Sequence, residues 1–226
     1  VNYGELDLRG VLSKSSQVGT TKIALNLDAH EIRDVFSRVG FGEYLGSGFP
    51  GESMGMLPSY RDWHPVTQAT FAFGYGLSAS PLQLARAYSV LANNGVKKDI
   101  KLLLDEGETN VSRVFSSDLS KTVNNMLESV VSESGTGKNA MIPHYRVAGK
   151  TATLHKVKAG GGYDENKYVS AFAGFSPASN PRVVTVVIID EPSEGKYFGG
   201  LVAAPIFSKV TAVSYTHLTL PTMDHG

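Results

Sequence analysis

The sequence predicts an α+β protein in which an antiparallel sheet is covered by helices on both faces. Helical periodicity dominates the chain up to about residue 131. Three strand-like runs follow at 146–154, 168–175 and 182–190, joined by the glycine-rich KAGGGYDENK (158–167) and the turn-rich SPASNP (176–181). Connections this short suit antiparallel hairpins. Residues 183–189 form a continuous β-branched run, VVTVVII, which reads as a strand buried on both faces. A helical stretch at 200–210 then returns after the third strand.

The first clear helix is expected over 28–39. Asp28 can cap it, Glu31 stands three residues on as in a capping box, and Ile32, Val35, Phe36 and Val39 recur at helical spacing. Gly40 then suits the left-handed residue that ends a helix. Six glycines (40, 42, 46, 48, 51 and 55) and Pro50 oppose any regular element, so 40–55 reads as a long shaped loop. Loops of this length in compact domains tend to be functional. A second helix starts at Ser80-Pro81, with Gln83 completing its box and Leu84, Ala85, Tyr88, Leu91 and Ala92 as its stripe. Asn94-Gly95 stops it. A third, over 117–131, places Leu119, Val123, Met126, Leu127 and Val130 on one face. Both stripes are assigned to the core.

Composition narrows the function. The chain has 226 residues, 42% of them hydrophobic, enough for one large domain or two small ones. Twenty-one basic residues balance 21 acidic ones, and the isoelectric point is about 7.2, so no electrostatic footprint draws the chain to nucleic acid. No segment approaches about 18 uninterrupted apolar residues, and the start VNYGELDLRG lacks the regions of a signal peptide. With no cysteine, disulfides, thiolate metal sites and a cysteine nucleophile are excluded. The six histidines (30, 64, 144, 155, 217 and 225) form no i, i+4 pair, so neither a metal nor a cofactor is expected. SGTGK at 134–138 has part of a phosphate loop, but Ser132 stands where glycine is needed and a helix precedes it. No sequence pairing singles out an acid/base couple among the carboxylates.

Two stretches remain. Lys14-Ser15-Ser16-Gln17-Val18-Gly19 precedes an apolar helical segment (Ile23, Ala24, Leu25), and Gly149-Lys150-Thr151-Ala152-Thr153 lies on the first strand of the sheet. Singly, each has an ordinary explanation: serine caps helices, and alternating polar residues mark an exposed strand face. Their order and surroundings carry more. With GELDLRGVLSKSSQVG at the start, GFPGE (48–52), TFAFGYGLSASPLQLARAYSVLANNG (70–95), YRVAGKTAT (145–153), FAGFSPASNPRVVTVVIIDEP (172–192) and YFGGLVAAPIFSKV (197–210), the chain resembles the penicillin-binding proteins. The resemblance is to the class B D,D-transpeptidases of cell division, whose motifs are S-x-x-K, S-x-N and K-T-G. It extends from Tyr3 to about Thr211.

The resemblance implies the fold shared by penicillin-binding proteins and serine β-lactamases, truncated at the N-terminus. It implies that Ser15 relays a proton between nucleophile and leaving amine. Gln17 stands at the S-x-N asparagine, whose amide holds the acyl-peptide backbone. Lys150 supplies the K-T-G cation, while Thr151 and Thr153 bind the terminal carboxylate of a D-Ala-D-Ala stem peptide or of a β-lactam. Ala152 stands where the substrate backbone passes, and Tyr197 and Phe198 match an aromatic segment beside the site. The strand edge itself suits an extended peptide. The implied parent is a serine-type D,D-transpeptidase cross-linking stem peptides in septal peptidoglycan synthesis. It would lie in the periplasm, anchored in the inner membrane by a segment outside this sequence, with a septal glycosyltransferase and other division proteins as partners.

Departures from the family pattern set further expectations. The family's nucleophile belongs to an S-x-x-K motif several dozen residues before S-x-N, and none precedes Ser15. Residues 1–212 are therefore expected to be the C-terminal part of the transpeptidase domain, inactive alone. Gln17 adds a methylene where the family has Asn, and Ala152 adds a methyl where it has Gly. These two changes motivate the rival reading, a non-catalytic relative that binds peptidoglycan or division proteins. A serine β-lactamase fits the motif logic but not the GFPGE and FAFGYGL blocks. Residues 213–226, VSYTHLTLPTMDHG, match nothing in the family and read as a non-native tail, a translated adapter, so they are set aside. The implied five-stranded sheet would pair two upstream strands with 182–190. Without them that run is a bare edge, and the isolated chain is expected to be poorly soluble.

Overall fold

The computed structural model describes residues 3–61, 63–103, 107–193 and 195–219, with side chains as far as residue 214. The chain divides into two compact units, Val1–Met126 and Leu127–Gly226.

The first unit is mainly helical. Helix α1, Leu8–Ser13, is capped by Asp7, whose carboxylate accepts from the Gly10 amide at 2.7 Å. Helix α2, Gln17–Leu25, is capped by Ser16, whose hydroxyl accepts from the Gly19 amide at 3.1 Å. A Cβ at Gly19 would run into Val11, so the glycine lets α1 and α2 approach closely. Helix α3, Ala29–Arg38, has the expected capping box at Asp28 and Glu31. It ends in a left-handed Gly40 (φ 100°), with the Gly40 amide donating to Ser37 and the Phe41 amide to Phe36. Helix α4, Pro65–Phe71, and the hairpin of β1, Val96–Lys98, with β2, Val111–Arg113, carry no sequence signal long enough to announce them.

Helix α5, Pro81–Ala92, begins with the Ser80–Gln83 box. The Gln83 side chain is fully buried, and its amide nitrogen faces the carbonyls of Gly40, Glu43 and Met54 at 3.3, 2.9 and 2.9 Å. One side chain thus ties α5 to the glycine-rich loop. Val39, Phe41, Val90 and Val114 form the core here, with Phe36, Leu57 and Leu84 packed against it. Helix α6, Ser117–Val130, carries the chain from the first unit into the second.

The second unit is built on an antiparallel sheet of β3, Ala148–Val157, β4, Tyr163–Ser176, and β5, Val183–Asp190, in the order β3-β4-β5. Helix α7, Gly199–Val202, and helix α8, Ala204–Thr219, follow. Phe172, Val187 and Ile189 share one face of the sheet and meet Ala203, Ala204 and Phe207, with the Phe172 and Phe207 rings 4.6 Å apart. Thr211 and Thr185 are hydroxyl-bonded at 2.9 Å on the same side. On the other face Ala148 and Phe175 are fully buried.

Several bounds differ from expectation. β3 runs on to Val157 and β4 begins at Tyr163, leaving only a turn closed by the Lys158 amide on the Gly162 carbonyl. The β-branched run is not buried on both faces: its residues are half-buried, and Ile188 is 39% exposed. The reason is position, since β5 is an edge strand of this sheet. The last helix breaks at Ala203 and continues past Val213 to Thr219. The rest of the tail, 220–226, lies outside the described residues.

Candidate functional site

Ser15 and Gln17 lie in the first unit, on the turn between α1 and α2. Ser15 has φ 52°, a conformation a non-glycine residue seldom adopts without a local reason. Its amide donates to the Leu12 carbonyl at 3.2 Å, and the Ser16 amide donates to Val11 at 3.0 Å. The cap of α2 is Ser16, so the two adjacent serines divide their tasks. Ser16 closes the helix, and the exposed Ser15 stands on the strained corner. Gln17 is the first residue of α2 and is also exposed. At the far end of α2 the Gln68 amide donates to the carbonyls of Ala24 and Leu27, both at 2.7 Å, and fixes the helix against α4.

Lys150, Thr151, Ala152 and Thr153 lie in the second unit on β3. Strand alternation and the register put Thr151 opposite Phe172 and Thr153 opposite Ser170, on the face that carries α7. Lys150 and Ala152 point to the other face. Lys150 is half-buried and donates to the Thr151 carbonyl at 3.2 Å. Burial disfavours its charged form and lowers its pKa from 10.5 to about 8. The Thr151 hydroxyl bonds that of Thr136 at 3.1 Å, and the Thr153 hydroxyl accepts from the Gly199 amide at 3.0 Å. With its acceptor side engaged, the Thr153 hydroxyl has its own proton to donate. Ala152 is exposed.

Tyr197 and Phe198 are held beside this strand. Tyr197 stacks on Tyr168 with ring centres 4.0 Å apart, its carbonyl accepts from the Ser170 hydroxyl, and Phe198 caps α7 with 55% exposure. Glycine is required at 199 because a Cβ there would collide with the carbonyl oxygens of Ala152 and Ala171. Among the described residues no other strand covers the outer edge of β3.

The structure adds groups that the motifs do not name. Thr136, between two glycines, braces Thr151, and the Asn139 amide donates to the Gly200 carbonyl at 2.8 Å. A Cβ at Gly135 would strike the Val130 carbonyl, and one at Gly200 the carbonyl of Thr136. The rejected phosphate-loop segment therefore has a supporting part beside the K-T-x strand. Ser193 and Lys196 have S-x-x-K spacing. They follow β5 instead of preceding Ser15, which is the wrong order for the family's nucleophile. No group of three or more potential ligands that could hold a metal occurs among the described residues, nor is any described helix long and apolar enough to cross a membrane.

Comparison with known proteins gives a consistent result. The family model for the penicillin binding protein transpeptidase domain matches residues 1–212. The chain is 42% identical over 208 residues to the probable peptidoglycan D,D-transpeptidase PenA of Neisseria gonorrhoeae, covering 92% of this chain and 36% of that protein. It is also 42% identical over 208 residues to the peptidoglycan D,D-transpeptidase FtsI of Escherichia coli K12, covering 92% of this chain and 35% of FtsI. The chain thus spans about a third of the length of these curated relatives. The apo transpeptidase domain of penicillin-binding protein 3 from Burkholderia pseudomallei superposes with a TM-score of 0.89 at 41% identity, covering 97% of this chain and 67% of that one.

Proposed function

The chain belongs to the penicillin-binding protein transpeptidase family, and on that premise we propose that it is part of a peptidoglycan D,D-transpeptidase acting in septal cell-wall synthesis. The observation that carries the reading is the K-T-x-T strand. A half-buried Lys150 of lowered pKa lies on one face and two threonine hydroxyls locked by Thr136 and Gly199 on the other, on a strand whose outer edge no described strand covers. An extended peptide can add to that edge through its backbone, with its terminal carboxylate at the Thr151 and Thr153 hydroxyls.

The chemistry is acyl transfer. A serine supplied by the parent protein attacks the penultimate D-Ala carbonyl, the terminal D-Ala leaves, and an amine of a neighbouring stem takes the acyl group. Ser15 relays the proton to the leaving amine, and the positive φ that lifts it from the helical path aids that task. Gln17 holds the acyl-peptide backbone, and Tyr197 and Phe198 form the wall beside the reacting peptide. β-Lactams acylate the same serine. The parent protein is anchored in the inner membrane with this domain in the periplasm and works with a septal glycosyltransferase. Residues 213–226 are a non-native extension.

A second reading, a non-catalytic binding relative, is favoured by Ala152. Its methyl lies exposed on the strand along which the substrate backbone would pass. One experiment separates the two. The gene is completed upstream, and the full domain is incubated with a fluorescent penicillin before denaturing electrophoresis. A labelled band that vanishes on Ser→Ala at the upstream S-x-x-K supports the transpeptidase. A folded domain with that serine present and no label selects the binding relative.

A further inference from the structure

We propose that Glu191 is a positioning residue for the peptide site: its carboxylate clamps the ends of three strands together and so fixes Tyr168, the ring on which the wall of Tyr197 and Phe198 rests. The proposal rests on the transpeptidase reading and deepens it at the same site.

Tyr168 stands where both ladders of the sheet give out. On one side the β3–β4 register holds as far as His155 opposite Tyr168 and then shifts before Val157. On the other, the β4–β5 register ends at Val169 opposite Asp190. Strand ends of this kind fray unless something beyond the ladder holds them. Tyr168 nevertheless carries the aromatic group beside the site. Its ring stacks on Tyr197 with centres 4.0 Å apart and planes 11° apart, Tyr197 meets Phe198 at 4.5 Å, and His155 packs on Tyr168 at 4.7 Å.

Glu191 supplies the missing hold. It is the first residue past β5, and its amide donates to the Tyr168 carbonyl at 2.9 Å. Its carboxylate accepts from Lys156 of β3 at 2.7 Å and pairs with Lys167 of β4 at 3.0 Å. These lysines come directly after the His155–Tyr168 pair, one on each strand, so without an anion between them two like charges would face each other. Strand alternation turns both lysines away from the face that carries His155 and Tyr168. The clamp therefore grips the strand ends from behind the aromatic rings. Glu191 does so at φ 50°, a conformation that a non-glycine residue keeps only where its surroundings impose it. Glycine would take that corner without strain, but it would bring no carboxylate. Each ion pair is partly exposed and adds little to stability by itself, so the value of the clamp lies in geometry.

The test uses the transpeptidase domain completed upstream. It compares acylation by benzylpenicillin with acylation by 6-aminopenicillanic acid, which lacks the acyl side chain that would lie against the wall. Glu191→Gly removes the carboxylate and suits the left-handed backbone, and thermal unfolding checks that the fold is kept. The second-order acylation rate constant for benzylpenicillin should fall about fivefold, and that for 6-aminopenicillanic acid should change by no more than about twofold. Lys167→Met leaves Glu191 on Lys156 alone and should shift the ratio the same way by a smaller factor; it decides the matter should Glu191→Gly not fold. A wild-type domain that neither compound acylates overturns the transpeptidase reading and the proposal with it. An acylated wild type whose variants are unchanged, or slowed equally toward both compounds, overturns the proposal alone.

Discussion

At Lys150, one side chain combines a functional placement with a cost to stability. Its folded pKa of about 8 lies below the ordinary 10.5, so between those values the unfolded chain binds more protons than the folded one. Stability contributed at this position therefore rises as pH increases from about 8 to 10.5, and below about 8 the charged amine costs stability. Lys150→Met should stabilise the second unit at pH 7 by about 1–2 kcal/mol and lose that advantage near pH 10.5. Denaturant titrations of both proteins at the two pH values check it, and an advantage independent of pH would refute the burial argument. The neighbouring threonines show a different economy. Each hydroxyl is fixed by a partner far away in sequence, Thr136 for Thr151 and Gly199 for Thr153, so their orientation is set before any ligand arrives.

Among the elements, the end of α3 shows how a local signal and a tertiary contact can require the same residue. Gly40 has φ 100°, and a Cβ there would collide with the guanidinium of Arg86, which is itself paired with Glu43 at 2.9 Å. Gly40→Ala should lower stability by about 2 kcal/mol or more, combining left-handed strain with displacement of Arg86. Thermal unfolding of the variant measures this, and a loss below about 0.5 kcal/mol would show that the loop relaxes freely. Such cap signals made α3 and α5 legible in the sequence, and an apolar stripe did the same for α6. Helices α1 and α4, of six and seven residues, and the three-residue strands β1 and β2 are too short to display a period. β5 was recognisable as a strand, and the family resemblance marked it as an edge, but the half-exposure of its faces was not legible, because a β-branched run looks the same half-buried as fully buried. The candidate site divides similarly. Lys150, Thr151 and Thr153 form a contiguous motif, whereas Thr136, Asn139 and Tyr168 acquire their roles only when the fold brings them to that strand.

For the molecule as a whole, balanced charge is the governing quantity. Equal numbers of basic and acidic residues place the isoelectric point at about 7.2, so self-repulsion is weakest near neutral pH. Light scattering from the purified chain should peak near pH 7 and fall by pH 5.5 and pH 9. A flat profile would mean that local patches and not net charge control association. The order of the two units along the chain bears on the same hazard during synthesis. The mainly helical unit leaves the ribosome first, and β5 is the last strand to appear. At ribosomal rates, only about one to three seconds separate its completion from the start of α8. Phe207 and Thr211 then arrive to cover one face of the sheet, so its stickiest segment spends little of its nascent life uncovered.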